Sequence, residues 1–212
     1  FGTKEEYQRF REIMSPLNLP YRVIPGNHDN IVNMRACFSD QSWMSSKGPI
    51  NWKIKFDDLV LIALDSSIKG YAHGQLSDET LLFLKKTLEL QKGSPIVLAL
   101  HHPPIMTGIE KVDMNNLRDS SQLQSILSRY PGELRLICGH VHRNIVALFG
   151  SVICQIAPGI SHAVTMDLRL SAPTSLTKEP GGFLLHETGS GIVSHCIPIG
   201  EFAGPFLFYP NG

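Results

Sequence analysis

Four side chains with lone pairs suited to a divalent cation stand just beyond apolar runs of this chain. Gly26-Asn27-His28-Asp29 follows Tyr21-Arg22-Val23-Ile24, and His101-His102-Pro103-Pro104 follows Ile96-Val97-Leu98-Ala99-Leu100. Gly139-His140-Val141-His142 follows Leu134-Arg135-Leu136-Ile137-Cys138. Imidazole nitrogens suit zinc, iron or manganese, and an amide oxygen suits the harder ions. In open α/β sheets ligands collect outside the carboxyl ends of the strands. The pattern therefore predicts that Asn27, His101, His140 and His142 converge on a metal site.

Each residue has its own reading. Pro25 and Gly26 permit a sharp turn that exposes Asn27 and His28. His28 is placed to act as a general acid or to contact a phosphate. His101 and His102, adjacent at a strand end, point in opposite directions. His101 is read as the ligand and His102 as a packed, structural residue. The i, i+2 spacing of His140 and His142 predicts two imidazoles on one face of extended backbone, with Gly139 leaving room beside them. An ordinary Asn turn and hydrogen-bonded core histidines remain the plainer alternatives for each motif taken alone.

The elements that must carry these residues follow from periodicity. Tyr7, Phe10, Ile13 and Met14 recur at helical spacing within Thr3 to Leu17. Asn51 to Phe56 and Leu59 to Leu64 read as a hairpin around Asp57-Asp58. Ser77 caps a helix running to Gln91, and a second helix spans Ser120 to Tyr130. Hairpins are expected at 144–149 with 152–156 and at 182–186 with 191–198, before a tail bearing Phe202, Phe206, Phe208 and Tyr209. The segments 30–46 and 101–118 read as loops, the former a wall of a substrate site. Ser161-His162 is read as lining the substrate mouth or a dimer contact, or as ordinary packing. The whole reads as one α/β domain over residues 1–212.

Composition narrows the partners. Nineteen basic and nineteen acidic residues leave no net charge, so nothing draws the chain onto a nucleic-acid polymer or an anionic membrane. No apolar run approaches the roughly 20 residues of a membrane span. Cys37, Cys138, Cys154 and Cys196 form no CxxC pair, which excludes a zinc ribbon and is consistent with a reducing, cytoplasmic setting. Phosphate-loop and nucleophile-elbow motifs are absent.

The three histidine motifs, with Ala63-Leu64-Asp65-Ser66, Gly74-Gln75-Leu76 and Ile197-Pro198-Ile199-Gly200, resemble the calcineurin-like metallophosphoesterases. Within them they are similar to the cyclic-nucleotide and glycerophosphodiester phosphodiesterase branch. The resemblance implies a four-layer αββα sandwich of two mixed sheets flanked by helices. It implies two divalent ions (manganese, iron or zinc), one held by Asn27, His101 and His140 and the other by His142. It implies a small phosphodiester substrate such as a 3',5'-cyclic nucleotide, contacted by Asn27, His28 and His142. His28 would protonate the leaving oxygen, and a bridging hydroxide would attack. A phosphomonoesterase of the same family, a non-catalytic fragment or a metal- or nucleotide-binding remnant is the alternative, and a homodimer is a possible assembly.

Two family motifs are lacking. No Asp-x-His and no Gly-Asp occurs anywhere in the chain. The expectation is a domain without its N-terminal strands, short by roughly 60 residues, about two βαβ units at ~30 residues each. Without the bridging carboxylate, a single ion is expected. Asp65 and Asp29 could substitute in principle, but Asp65 ends a different strand and Asp29 follows the turn, which the resemblance implies it orients.

Overall fold

Helix α1 (Lys4–Met14) begins where a capping box can form. The Thr3 hydroxyl accepts the Glu6 N–H at 3.2 Å, and the Glu6 carboxylate accepts the Thr3 N–H at 2.9 Å. The computed structural model describes residues 1–209. After α1 the chain runs through Tyr21–Ile24 to a short helix α2 (Ile31–Cys37), capped by Asn30. Strands β1 (Trp52–Lys55) and β2 (Val60–Leu64) follow, then helix α3 (Asp78–Leu90), capped by Ser77. Next come β3 (Ile96–Leu100), a single turn α4 (Glu110–Asp113), helix α5 (Ser121–Leu127) and β4 (Leu134–Cys138). The remainder is β5 (Ile145–Phe149), β6 (Val152–Ile156) and the short β7 (Ala163–Val164) and β8 (Leu176–Thr177), then β9 (Gly182–Thr188) and β10 (Ile192–Pro198).

Six strands form one mixed sheet in the order β1-β2-β3-β4-β6-β5. The four central strands, β2, β3, β4 and β6, are parallel, and an antiparallel strand closes each edge. Parallel strands need both faces covered, and alternation along each strand supplies two cores. Ile62, Leu64, Leu98 and Leu100 pack with Leu84 and Leu88 of α3 and Leu123 and Leu127 of α5. Ala63, Leu61 and Ala99 face the opposite way, onto Tyr7, Met34, Phe38, Ile50 and Trp52. The mixed α/β fold with flanking helices is thus present. Beyond the six-stranded sheet, the described residues contain only two two-stranded ribbons, β7-β8 and β9-β10, where the four-layer expectation has a second full sheet.

Two local expectations change. Tyr21–Ile24 joins no ladder among the described residues. It is held through side chains instead, with the Trp52 Nε1–H donating to the Val23 carbonyl at 2.9 Å. The 30–46 segment, expected as a loop, opens with α2. Asn30 Oδ1 accepts the N–H groups of Val32 and Asn33, and Met34 and Phe38 bury the inner side of the turn.

Candidate metal centre

Strand register brings the histidine motifs together. Leu100 pairs with Leu64 on one side and Cys138 on the other, so the segments after β2, β3 and β4 leave the sheet side by side. His101 is the hub. Its Nε2 lies 3.0 Å from Asn27 Oδ1 and 3.3 Å from His140 Nδ1. Two ligands about 2.1 Å from one ion, subtending about 90–110°, are themselves about 3.0–3.4 Å apart. The donor set therefore has the spacing of one coordination sphere. A lone Nε2–H can be directed fully at only one of its two acceptors, whereas a cation satisfies all three lone pairs at once.

Small residues make this approach possible. A Cβ on Gly26 would come within 2.8 Å of the His101 ring, and one on Gly139 within 3.3 Å. His102 is fully buried, its Nδ1 2.8 Å from Ser66 Oγ, its ring packed where a Gly74 Cβ would sit at 2.4 Å. It is nonetheless close to the hub, since His101, His102 and His140 each offer a nitrogen within 4.8 Å of the others. Its Nε2 is buried without a hydrogen-bond partner. That orphaned atom is a second sign that the cluster suits a cation.

The titration behaviour agrees. Burial pushes the His101 imidazole well below its ordinary range, helped by His102, His140, His142 and His28. Burial, then His140, takes His102 to about 3. Burial, then His142 and His28, takes His140 to about 4. His142 is lowered by burial, then by His162 and His28. At neutral pH these rings are neutral and their lone pairs are free for a metal.

The Gly139–His142 segment is not extended. His140 and His142 adopt φ of 70° and 56°, left-handed values that cost a non-glycine residue about 1–3 kcal/mol each. The Val141 N–H bonds back to the Gly139 carbonyl at 2.8 Å, and Val141 is fully buried between the two histidines. This tight turn, and not strand alternation, directs the two rings, which correct the extended-backbone reading. His140 meets His101. His142 Nδ1 meets His162 Nε2 at 3.0 Å. His28 is exposed on its turn, close enough to depress three of these imidazoles.

Neither nearby carboxylate is free to bridge two ions. Asp29 Oδ2 accepts the Gly26 N–H at 2.7 Å and its Oδ1 accepts the Tyr7 hydroxyl at 2.6 Å, which fixes the Asn27-His28 turn. Asp65 accepts the Ile50 N–H at 3.0 Å and both the N–H and hydroxyl of Ser67 at 2.9 and 2.6 Å. The residues present fit one divalent ion. For a second they offer His142 and its neighbour His162 and no uncommitted aspartate at the motif positions.

Sequence reasoning missed Tyr7 and Ser66 and left His162 open. Ser66 was reachable: β2 and β3 are parallel, so two residues past the pair Leu64–Leu100 come Ser66 and His102. Tyr7 and His162 reach their partners across 22 and 20 residues of chain, and no local pattern marks them.

A mixed sheet with imidazoles and an amide gathered beyond the carboxyl ends of its parallel strands defines an α/β protein with a candidate metal centre. The family model for calcineurin-like phosphoesterases matches residues 2–144, and the chain belongs to that family of metallophosphoesterases. It is 39% identical to a probable glycerophosphodiester phosphodiesterase of Arcobacter nitrofigilis, over 98% of this chain and 77% of that protein. It is 32% identical to a 3',5'-cyclic adenosine monophosphate phosphodiesterase of Vibrio vulnificus, over 72% of this chain and 54% of that one. Its fold matches a dimetal phosphatase of Danio rerio with a TM-score of 0.66 at 12% identity, over 92% and 76% of the two chains. No helix among the described residues is long and apolar enough to cross a membrane.

Proposed function

We propose that this chain hydrolyses a small phosphodiester, a glycerophosphodiester or a 3',5'-cyclic nucleotide. The names of the 39% and 32% identical relatives support that substrate class. The observation that carries the reading is the approach of Asn27 Oδ1 and His140 Nδ1 to His101 Nε2, at 3.0 and 3.3 Å. Asn27, His101 and His140 would hold one divalent ion, with His142 available to another. A bound ion supplies Lewis acidity toward the phosphoryl oxygens and lowers the pKa of water. The chain's own groups do the rest. His28, exposed on a turn pinned by Asp29, binds a phosphoryl oxygen and passes its proton to the departing alkoxide. His142, in contact with His162, faces the same substrate.

Manganese-dependent hydrolysis of bis-p-nitrophenyl phosphate tests this reading. The full chain should turn the diester over, His140→Ala should abolish turnover, and His28→Ala should lower kcat about 10²–10⁴-fold, the usual range for a general acid. A chain that binds manganese, iron or zinc and stays inert toward diesters sinks it. One observation favours a second reading, a single-ion site that binds phosphate esters without cleaving them: Asp29 and Asp65 are both occupied by protein donors. Comparison of p-nitrophenyl phosphate with its bis ester separates a monoesterase from both.

A further inference from the structure

The segment 157–181, between β6 and β9, lies against the Gly139–His142 turn and carries His162. It is longer than the ~12–15 residues of an ordinary connection, and ordered connections of that length usually serve a site. We propose that Arg143 and Glu179 form a clasp that holds this strap on the turn, and that they are positioning residues for His142 and His162 at the phosphate. The proposal rests on the phosphoesterase reading for the presence of a phosphate there.

The clasp is built on one guanidinium. Arg143 directly follows His142. Its Nη1 donates to the Val164 carbonyl at 2.7 Å and to Glu179 Oε1 at 3.0 Å, and its Nη2 donates to Glu179 Oε2 at 2.9 Å. Thr177 steadies the carboxylate by donating its hydroxyl to Oε1 at 2.8 Å. Val164 lies on β7 and Thr177 on β8, and the two strands pair through Ala163 with Thr177 and Val164 with Leu176. One side chain therefore grips both arms of the strap. Val164 is two residues past His162, so the clasp and the His142–His162 contact sit side by side. An exposed ion pair holds little. The Arg143 side chain is only 16% exposed, against 71% for Arg9 in its pair with Glu12, and its planar fork meets the carboxylate through two bonds.

The turn needs such an anchor. His142, at φ 56°, is left-handed, and strain of that kind persists only where the surroundings over-determine it. Buried Val141 fixes the turn on one side of His142, and Arg143 fixes it on the other. The strap also fits closely: a Cβ on Gly159 would lie 2.8 Å from His142 Cβ and 2.3 Å from the His162 carbonyl oxygen. Both nitrogens of His162 are engaged, Nε2 with His142 Nδ1 at 3.0 Å and Nδ1 with Ser161 Oγ at 2.9 Å. A strap that slid off the turn would part the two rings. No hydrogen bond of the clasp reaches Asn27, His101 or His140, so the hub would stay intact.

Calorimetry of the full chain with manganese alone, then with inorganic phosphate on the manganese-loaded chain, tests the clasp without any turnover. Glu179→Gln and His162→Ala should each weaken phosphate about tenfold, the low end of what outer partners of a metal site carry. The double variant should bind phosphate no more weakly than the weaker single, because both changes act on one contact. Manganese affinity should be unchanged in all of them. Arg143→Lys, which keeps the charge and gives up the fork, should match Glu179→Gln. Thermal denaturation confirms that each variant folds. Four results overturn the proposal: phosphate affinity unmoved by either clasp variant, losses that multiply to about hundredfold in the double variant, manganese affinity lost along with phosphate, or no phosphate binding by the parent. Turnover of bis-p-nitrophenyl phosphate is measured on the same preparations. Absent turnover with the binding pattern intact removes the phosphodiesterase reading and leaves the clasp.

Discussion

Tyr7→Phe isolates the device that holds the Asn27-His28 turn. The substitution keeps the ring, its burial and its edge contact with Phe38, and removes one oxygen. That oxygen donates to Asp29 Oδ1 at 2.6 Å and accepts the Asn30 N–H at 3.1 Å. A hydrogen bond to a charged group is worth about 1.5–3 kcal/mol net, and half-buried Asp29 can recruit water in its place, so the loss is about 2 kcal/mol. For a chain of this size Tm should fall by about 4–8 °C, at about 2–4 °C per kcal/mol. The assay is thermal denaturation of a double-mutant cycle with Asp29→Asn. Direct contact predicts a coupling energy of about 1–2 kcal/mol. A Tm within about 1 °C of the parent and coupling near zero would refute the reasoning. Burial, then the bond to Asp29, raises the Tyr7 pKa far above neutrality, so the effect should not vary between pH 6 and 9.

Asn27→Ala and His140→Ala should each weaken manganese binding at least about 100-fold by calorimetry, beyond the 10–100-fold carried by outer partners of a metal. Gly26→Ala should weaken it about 10–100-fold with little change in Tm, because its methyl would press on the His101 ring at 2.8 Å. Ser66→Ala leaves His102 Nδ1 buried and unpaired and should cost about 2 kcal/mol, read as a Tm lower by about 4–8 °C. In chelator the depressed imidazoles set a pH dependence. The unfolded chain binds protons below about pH 6.5 that the folded chain refuses until His140 titrates at about 4 and His102 at about 3. Stability in urea should therefore be full above about pH 6.5 and fall steadily toward pH 4; a flat profile counts against the burial of these rings.

The central sheet was legible because Ile96–Leu100 and Leu134–Cys138 are apolar runs bounded by strong turn signals. The helices α3 and α5 were legible from Ser77, Ser120 and their spacing. Tyr21–Ile24 reads equally well as a strand, yet a strand exists only with a partner, and pairing is a property of the sheet and not of the segment. α2 has only 7 residues, too few for helical periodicity to stand out. The meeting of Asn27, His101 and His140 was legible, since His101 and His140 leave the ends of neighbouring parallel strands and Asn27 stands on a turn marked by Pro25 and Gly26. The aim of His142 was not, because it depends on a left-handed turn that no histidine adopts by default. The role of Asp65 as a brace was likewise hidden, as a carboxylate looks the same in sequence whether it holds a metal or a backbone amide.

The hub contacts join residues 74 and 39 positions apart in the chain, and they meet only across completed parallel strands. No short peptide cut from this chain can therefore reproduce the cluster. Ion uptake becomes a probe of the assembled sheet: each apparent affinity includes the cost of folding, and saturating metal should raise Tm in proportion to the logarithm of its concentration. A variant far from the cluster that loosens the sheet will look like a ligand mutant in a titration near its melting range and like the parent well below it.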